Sequence, residues 1–101
     1  MIKALFAGFL LFNSIPHLVK GITGQIHMTP FKRKSSPTLN ITWAFINLAF
    51  VILLLGFDSN GMINLPRGNE VWAFMIGGFV LGLTAAWLFG RKNARLPWHK
   101  D

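Results

Sequence analysis

The chain has 101 residues, of which 52% are hydrophobic, and ten lysines and arginines against three acids give it a formal net charge of +7. Three apolar stretches of about 20 residues take up most of this length, which excludes a separate soluble domain as the main fold. Cysteine is absent. Disulfides, thiolate metal sites and thiol catalysis are therefore excluded as well.

The first apolar stretch covers residues 2–19. At about 1.5 Å of rise per residue, a helix of this length crosses a hydrocarbon core of about 30 Å. Pro16 cannot donate the helical hydrogen bond, so we expect a kink there. Asn13 and His17 lie four residues apart and therefore share one face of this helix.

Residues 20–38 form a connector with two unlike parts. The first part is broken by glycine, is half apolar and contains Gln25 and His27. This first part is expected to lie at the membrane interface or to fold back under the helices, and the second part is a basic cluster. Ser36 followed by Pro37 predicts a helix N-cap and a proline in the first turn, where the second span begins.

The second apolar stretch covers residues 39–57 and contains Asn40, Trp43 and Asn47. Asn40 and Asn47 are seven residues apart and share a helix face. A short loop, residues 58–70, follows; its Asn-Gly dipeptide predicts a turn. Asn69 is the expected N-cap of the next helix.

In the third stretch, residues 71–89, small residues recur at every fourth position from residue 78 onward, and the series ends at residue 90, the first residue of the tail. Small side chains let membrane helices approach closely, so this stripe predicts a packing face. It is compatible with packing against the other two spans, with self-association, or with binding of another membrane protein. The stripe consists of Gly78, Gly82, Ala86 and Gly90.

The distribution of basic residues predicts the orientation in the membrane. Eight of the ten lie in the connector and in the tail, residues 90–101, which three crossings place on the same side. By the positive-inside rule that side is cytoplasmic, and the N-terminus is outside. Anionic lipid headgroups, rather than nucleic acid, are the expected partners. The residues expected to contact them are Lys20, Lys32, Arg33, Lys34, Arg91, Lys92 and Arg95.

Depth in the membrane suggests how the polar side chains of the first two spans pair. Antiparallel helices bring Asn13 toward Asn47, and His17 toward Asn40 or Trp43. The cluster is either a lock between two helices or a pocket open to the cytoplasm that binds a ligand. The candidate pocket residues are Asn13, His17, Gln25, His27, Asn40, Trp43 and Asn47.

Catalysis is not expected from this sequence. The acids are Asp58, Glu70 and Asp101, and none of them lies in a span, so a carboxylate pair or proton relay within the membrane is absent from the pattern. His17 of the first span and His27 of the connector could pair on a metal, but no acid or thiol stands near them in sequence, which argues against a metal site. We predict no enzyme activity and no cofactor.

Two groups of spaced residues carry a resemblance to a known family. The first is Asn13-x-x-Pro16-His17-x-x-x-Gly21-x-x-Gly24; the second is Thr29-Pro30-Phe31 with Ser36-Pro37-x-x-Asn40-x-x-Trp43. Over roughly residues 13–47 the chain resembles a family of small, uncharacterised bacterial three-span inner-membrane proteins. The resemblance implies the bacterial cytoplasmic membrane as location and adds no activity or substrate.

The sequence thus predicts an all-α, multi-pass membrane protein of three transmembrane helices, with a single membrane domain over residues 1–101. The leading hypothesis is binding or transport of a small polar or anionic ligand by a homo-oligomer, through the cytoplasm-facing polar pocket. The alternative is a non-catalytic accessory or structural subunit that docks on a larger membrane complex through the small-residue stripe.

Overall fold

The computed structural model describes residues 1–91 and 96–98, and within these ranges the regular elements are three α-helices and no strand. They are α1 (Ile2–Ile22), α2 (Pro37–Leu55) and α3 (Asn69–Phe89). Each is long and apolar enough to cross a membrane, with mean hydropathies of 1.5, 2.0 and 1.9. The predicted all-α fold with three candidate membrane spans is confirmed. Among the predicted lipid contacts, Lys92 and Arg95 lie outside the described residues.

The first helix is the centre of the bundle. It packs along both α2 and α3, whereas α2 and α3, both fully described, have no close backbone contact with each other. The helix with two neighbours is also the one of lowest mean hydropathy. This order is physically reasonable, because the helix that exposes least surface to lipid can carry the most polar residues.

The distribution of polar and apolar side chains is that of a membrane protein. Large apolar side chains point outward, among them Phe45, Phe79 and Trp87, which are 58%, 66% and 64% exposed. Polar side chains occupy the interior, where they can bond to each other instead of to lipid. The largest fully buried side chains are Asn40, Asn47, Thr29, Ser14 and Ser35.

Glycines set the crossing of α1 and α3. A Cβ at Gly8 would overlap the backbone carbonyl of Phe74, and a Cβ at Gly77 would overlap that of Leu5. Each helix therefore approaches the backbone of the other where a side chain is missing, which maximises van der Waals contact in lipid. Gly78 packs in the same region, against the ring of Phe12.

The small-residue stripe of α3 is only partly used inside the chain. Gly78 is buried against α1, but Gly82, Ala86 and Gly90 are exposed, and a Cβ at Gly82 would meet no atom within 4 Å. The packing face of α3 is rotated relative to the predicted stripe. The buried residues of that face are Ala73, Gly77, Gly78 and Leu81.

The helix ends agree with the sequence in two places and differ in two others. Ser36 caps α2 by accepting a hydrogen bond from the Leu39 N–H at 3.1 Å, with proline next in the chain, as predicted. The predicted turn before α3 forms around Gly61, whose φ is 77°. Asn69 is not a cap, because Gly68 with φ 58° holds that position and Asn69 is the first helical residue. Helix α1 continues to Ile22, beyond the predicted end of the first span at residue 19, and Pro16 lies inside it.

Candidate functional site

Two predicted polar pairs join α1 to α2. The Asn13 side-chain amide donates to Asn47 Oδ1 at 3.1 Å, and His17 Nδ1 lies 2.8 Å from Asn40 Oδ1. His17 is 2% exposed and Asn40 is fully buried. Antiparallel helices present residues of equal depth to each other, so the positions of these residues along the sequence were sufficient to predict both pairs.

Asn40 is the centre of this network. Its side-chain amide donates to the backbone carbonyls of His27 at 3.0 Å, Ser35 at 3.2 Å and Ser36 at 3.1 Å. These acceptors fix the amide orientation, so Asn40 Oδ1 is the acceptor toward α1. His17 Nδ1 must then be the donor, which assigns the tautomer of this imidazole. One asparagine thereby ties the connector to both helices.

The connector folds into a short hairpin, residues 27–35. The His27 N–H donates to the Ser35 carbonyl at 3.2 Å, and the Thr29 N–H donates to the Lys32 carbonyl at 3.0 Å. Inside the hairpin the hydroxyls of Thr29 and Ser35 are 2.6 Å apart and almost completely buried. Neither residue was predicted as part of a site. The threonine before Pro30, with a serine six residues on, was the available signal for a turn closed by side chains.

Two of the predicted pocket residues lie apart from this network. Gln25 is exposed and accepts a hydrogen bond from Lys20 Nζ at 2.9 Å. Trp43 packs edge-on against Phe31, with ring centroids 5.4 Å apart, and its buried indole N–H has no hydrogen-bond partner among the described residues. Apart from His27, the remaining polar side chains bond to each other and to backbone, so they act chemically as a lock between elements.

A basic cleft opens beside this lock, at the end of the bundle that carries the connector. Its volume is about 580 Å³. Among the described residues, four cationic side chains, one histidine and an apolar wall line it, and none of these lining residues is acidic. The lining consists of Lys20, Ile26, His27, Met28, Arg33, Lys34, Phe89 and Arg91.

His27 is held at the inner side of the cleft. Its ring centroid lies 5.2 Å from that of His17 and 4.5 Å from that of Phe89. Its Nε2 atom is buried and has no hydrogen-bond partner within the described ranges. Burial, which is the largest cause, and the positive charges of His17 and Lys20 together lower the pKa of His27 to about 4. A proton on this ring therefore meets unfavourable surroundings.

Contacts after α3 complete the cleft. The guanidinium of Arg91 lies 4.6 Å from the ring centroid of Trp87, a cation–π distance that restrains its side chain. The indole N–H of Trp98 donates to the Pro30 carbonyl at 2.6 Å and ties the tail to the hairpin. The cleft thus has side chains from three separate chain segments.

A second cavity of about 500 Å³ lies at the opposite end of the bundle. Lys3, Arg67 and Glu70 line part of it, so its charges have both signs, and all three side chains are exposed. The Glu70 carboxylate is used locally, accepting from the Arg67 N–H at 3.1 Å. This end offers no concentration of one charge comparable to the basic cleft.

A metal centre has little support from the described part of the chain. It holds no group of three or more histidine, aspartate or glutamate side chains placed to share an ion. The two close imidazoles, His17 and His27, stand among lysine and arginine side chains, which disfavour a bound cation.

Comparison of the chain with protein-family models, with curated proteins and with solved structures gave no match. The function is therefore argued from the site.

Proposed function

We propose that this is a non-catalytic, multi-pass membrane protein that binds the phosphate group of an anionic lipid in the basic cleft. The observation that carries the proposal is the convergence of Lys20, Arg33, Lys34 and Arg91 on one cleft whose described lining contains no acid. Each lysine or arginine near an anionic surface contributes about 1 kcal/mol of attraction, so four of them at one site favour a bound phosphate strongly.

The position of the cleft favours a lipid over a free phosphate ion. It lies where α1 and α3 end, at the boundary between the apolar spans and the polar connector. One wall is apolar, formed by Ile26, Met28 and Phe89. A phospholipid has the same combination, because its charged phosphate is joined through glycerol esters to apolar chains. Its phosphate lies at the boundary between the hydrocarbon core and the polar interface. With the orientation predicted from the basic residues, the cleft faces the cytoplasmic leaflet.

The proposed ligand is an anion, as in the hypothesis drawn from the sequence, but the proposed binding site is a different one. An anionic ligand remains, but it binds in the cleft rather than among Asn13, Asn47 and Asn40, whose side chains are engaged with each other and with the connector. Asn40 holds the hairpin that carries Arg33 and Lys34, and the Asn13–Asn47 pair joins α1 to α2. A transport step and an oligomer are not needed for this function.

Native mass spectrometry of the detergent-purified full chain tests the proposal, with phosphatidylglycerol or phosphatidylcholine added. We expect phosphatidylglycerol to bind with a discrete stoichiometry and at least about fivefold more tightly. Replacing Arg33 and Lys34 together by glutamine should weaken its binding about tenfold. The matched control removes two positive charges at the other end of the bundle, Lys3→Gln with Arg67→Gln, and should change it less than twofold.

Two results would contradict the proposal. One is equal retention of phosphatidylcholine and phosphatidylglycerol. The other is an equal loss in both double variants, which would show that total charge, and not the cleft, attracts the lipid. Added inorganic phosphate that displaced the lipid at low concentration would identify a free phosphate ion as the ligand instead.

A second candidate function is that of an accessory subunit that docks through α3. The observation that favours it is the unused part of the small-residue stripe, where Gly82 and Ala86 face outward. Such a surface permits close approach of another membrane helix. Gly82→Leu should then remove a co-purifying protein from gently solubilised native membranes, and Gly61→Ala, in the loop, should leave it in place. Identical co-purification from both variants would exclude this role.

A further inference from the structure

The buried Nε2 atom of His27 is an unfilled hydrogen-bonding position in the wall of the cleft. The atom has no partner in the described part of the chain, although the ring is fixed between His17 and Phe89. A buried polar atom without a partner is costly, and such atoms are few in folded proteins. Its place in the lining of a basic cleft indicates that a ligand atom completes it.

The charges around His27 define which ligand atom fits. Cationic or titratable groups face it from every described segment that forms the cleft, and none of the described lining residues is acidic. A metal ion would add positive charge to positive surroundings, whereas an oxyanion would offset them. An oxyanion also has the lone pairs that an imidazole N–H requires. The groups concerned are His17 and Lys20 from α1, Arg33 and Lys34 from the hairpin, and Arg91 after α3.

We infer that His27 is a proton-linked contact of this site: its Nε2–H donates to a phosphate oxygen of the bound anionic lipid, and lipid binding draws a second proton onto the ring. The inference rests on the proposed function and adds regulation by pH to it. By linkage, a ligand that favours the charged imidazole must bind more tightly when the ring is charged. Acidification on the side of the cleft thus strengthens lipid binding.

The expected size follows from the pKa values. In the empty cleft His27 has a pKa of about 4 and is neutral near neutral pH. An adjacent phosphate that raises this pKa by about 2 units makes lipid binding about tenfold tighter at pH 5 than at pH 7.5. Phosphatidylglycerol is the appropriate probe, because its phosphodiester does not titrate in this range.

Two measurements on the full-length protein test the inference. The first is NMR titration of histidine labelled in the imidazole ring, in micelles of phosphatidylcholine with and without phosphatidylglycerol. The signal lost in His27→Gln identifies His27. We expect its pKa to be near 4 without the anionic lipid and at least one unit higher with it. The second is the phosphatidylglycerol dissociation constant at pH 7.5 and pH 5.

Variants separate the titration from the hydrogen bond. Glutamine at position 27 retains an N–H donor but cannot titrate, so His27→Gln should bind at pH 7.5 like the original protein and lose the tightening at pH 5. Binding independent of pH, with an unchanged His27 pKa, would overturn the inference. If Arg33→Gln with Lys34→Gln still weakened the binding of phosphatidylglycerol in that case, the proposed function would stand and only the role of His27 would be rejected.

Two other outcomes have equally definite meanings. Failure of phosphatidylglycerol to bind at either pH would contradict the proposed function itself. A shift of the His27 signal on addition of Zn²⁺ alone, with none on addition of the lipid, would show that the open nitrogen position is a metal ligand and would overturn the inference.

Discussion

Replacing Asn40 by leucine should release the connector from the bundle while leaving the helices in place. Asn40 is fully buried, and its amide contacts three backbone carbonyls of the connector. Leucine has a similar size, so the main loss is polar. The variant leaves the N–H of His17 and several carbonyls without partners, at a depth where water is scarce.

The contacts of Asn40 determine how much stability the hairpin should lose. Two amide hydrogens and one carbonyl oxygen amount to three independent interactions, because the three carbonyl acceptors share the two N–H groups of Asn40. Polar contacts between membrane helices contribute about 0.6–2 kcal/mol each, so the expected loss is about 3 kcal/mol. Asn13→Leu removes one such interaction, with Asn47, and should cost about 1 kcal/mol.

Hydrogen exchange of the protein in micelles, read by mass spectrometry, measures this loss locally. For Asn40→Leu, the amides of residues 27–35 should exchange about 100-fold faster, since every 1.4 kcal/mol is a factor of ten. In Asn13→Leu the same amides should change less than fivefold. Equal effects of the two variants, or a hairpin that stays protected without Asn40, would refute the reasoning that one side chain holds the connector.

Three further results are expected. Gly77→Val should lower thermal stability in detergent by an amount equivalent to about 2 kcal/mol, because its Cβ overlaps the Leu5 carbonyl, while Gly82→Val, in open space, should leave the melting temperature unchanged. Without anionic lipid, acid should open the hairpin. Because the pKa of His27 is lowered in the folded state, the open form binds more protons between about pH 6.5 and about pH 4. The stability of the hairpin therefore falls as the pH is lowered through this window. Partial exposure of His27 limits the loss to about 1–2 kcal/mol, so the protection factors of the hairpin amides, which correct for the intrinsic pH dependence of exchange, should be about five- to thirtyfold lower at pH 4.5 than at pH 7. Trp98→Phe removes the bond to the Pro30 carbonyl, and limited proteolysis should then cut the tail several-fold faster; an unchanged rate would show that the indole bond does not restrain it.

The helices and the polar pairs could be predicted because both follow from regular geometry. An apolar run of fixed length predicts a span, and the constant rise of a helix assigns each side chain a depth. Asn13 and Asn47 have equal depth on antiparallel helices, as have His17 and Asn40, and the structure brings both pairs within hydrogen-bond distance.

The rest depended on features that periodicity does not encode. The hairpin is held by bonds from side chains to backbone, as from Asn40 to the Ser35 carbonyl, and such bonds require a loop conformation that spacing does not specify. The rotation of α3 could not be read from its stripe, because Gly77 and Gly78 make two adjacent faces equally small. Gly77 lies on the face where the backbone of α1 approaches.

The same reasoning explains why the cleft was predicted only in part. Basic residues near the ends of spans predicted contact with lipid headgroups, and Lys20, Arg33, Lys34 and Arg91 do line the cleft. Lys32 does not; it is exposed at the turn of the hairpin, where its backbone closes the loop with Thr29. Charge patterning predicts which end is basic, but only the folded connector determines which of these side chains converge.

The central claim, that an anionic lipid headgroup occupies the basic cleft, is tested most directly by photo-crosslinking. The probe is phosphatidylglycerol with a photoreactive diazirine in its headgroup, added to the protein in membranes and mapped by peptide mass spectrometry. The account predicts adducts on residues 26–34 and on Phe89 or Arg91, displaced by unlabelled phosphatidylglycerol but not by phosphatidylcholine. Adducts concentrated at the opposite end of the bundle, or displaced equally by both lipids, would contradict it.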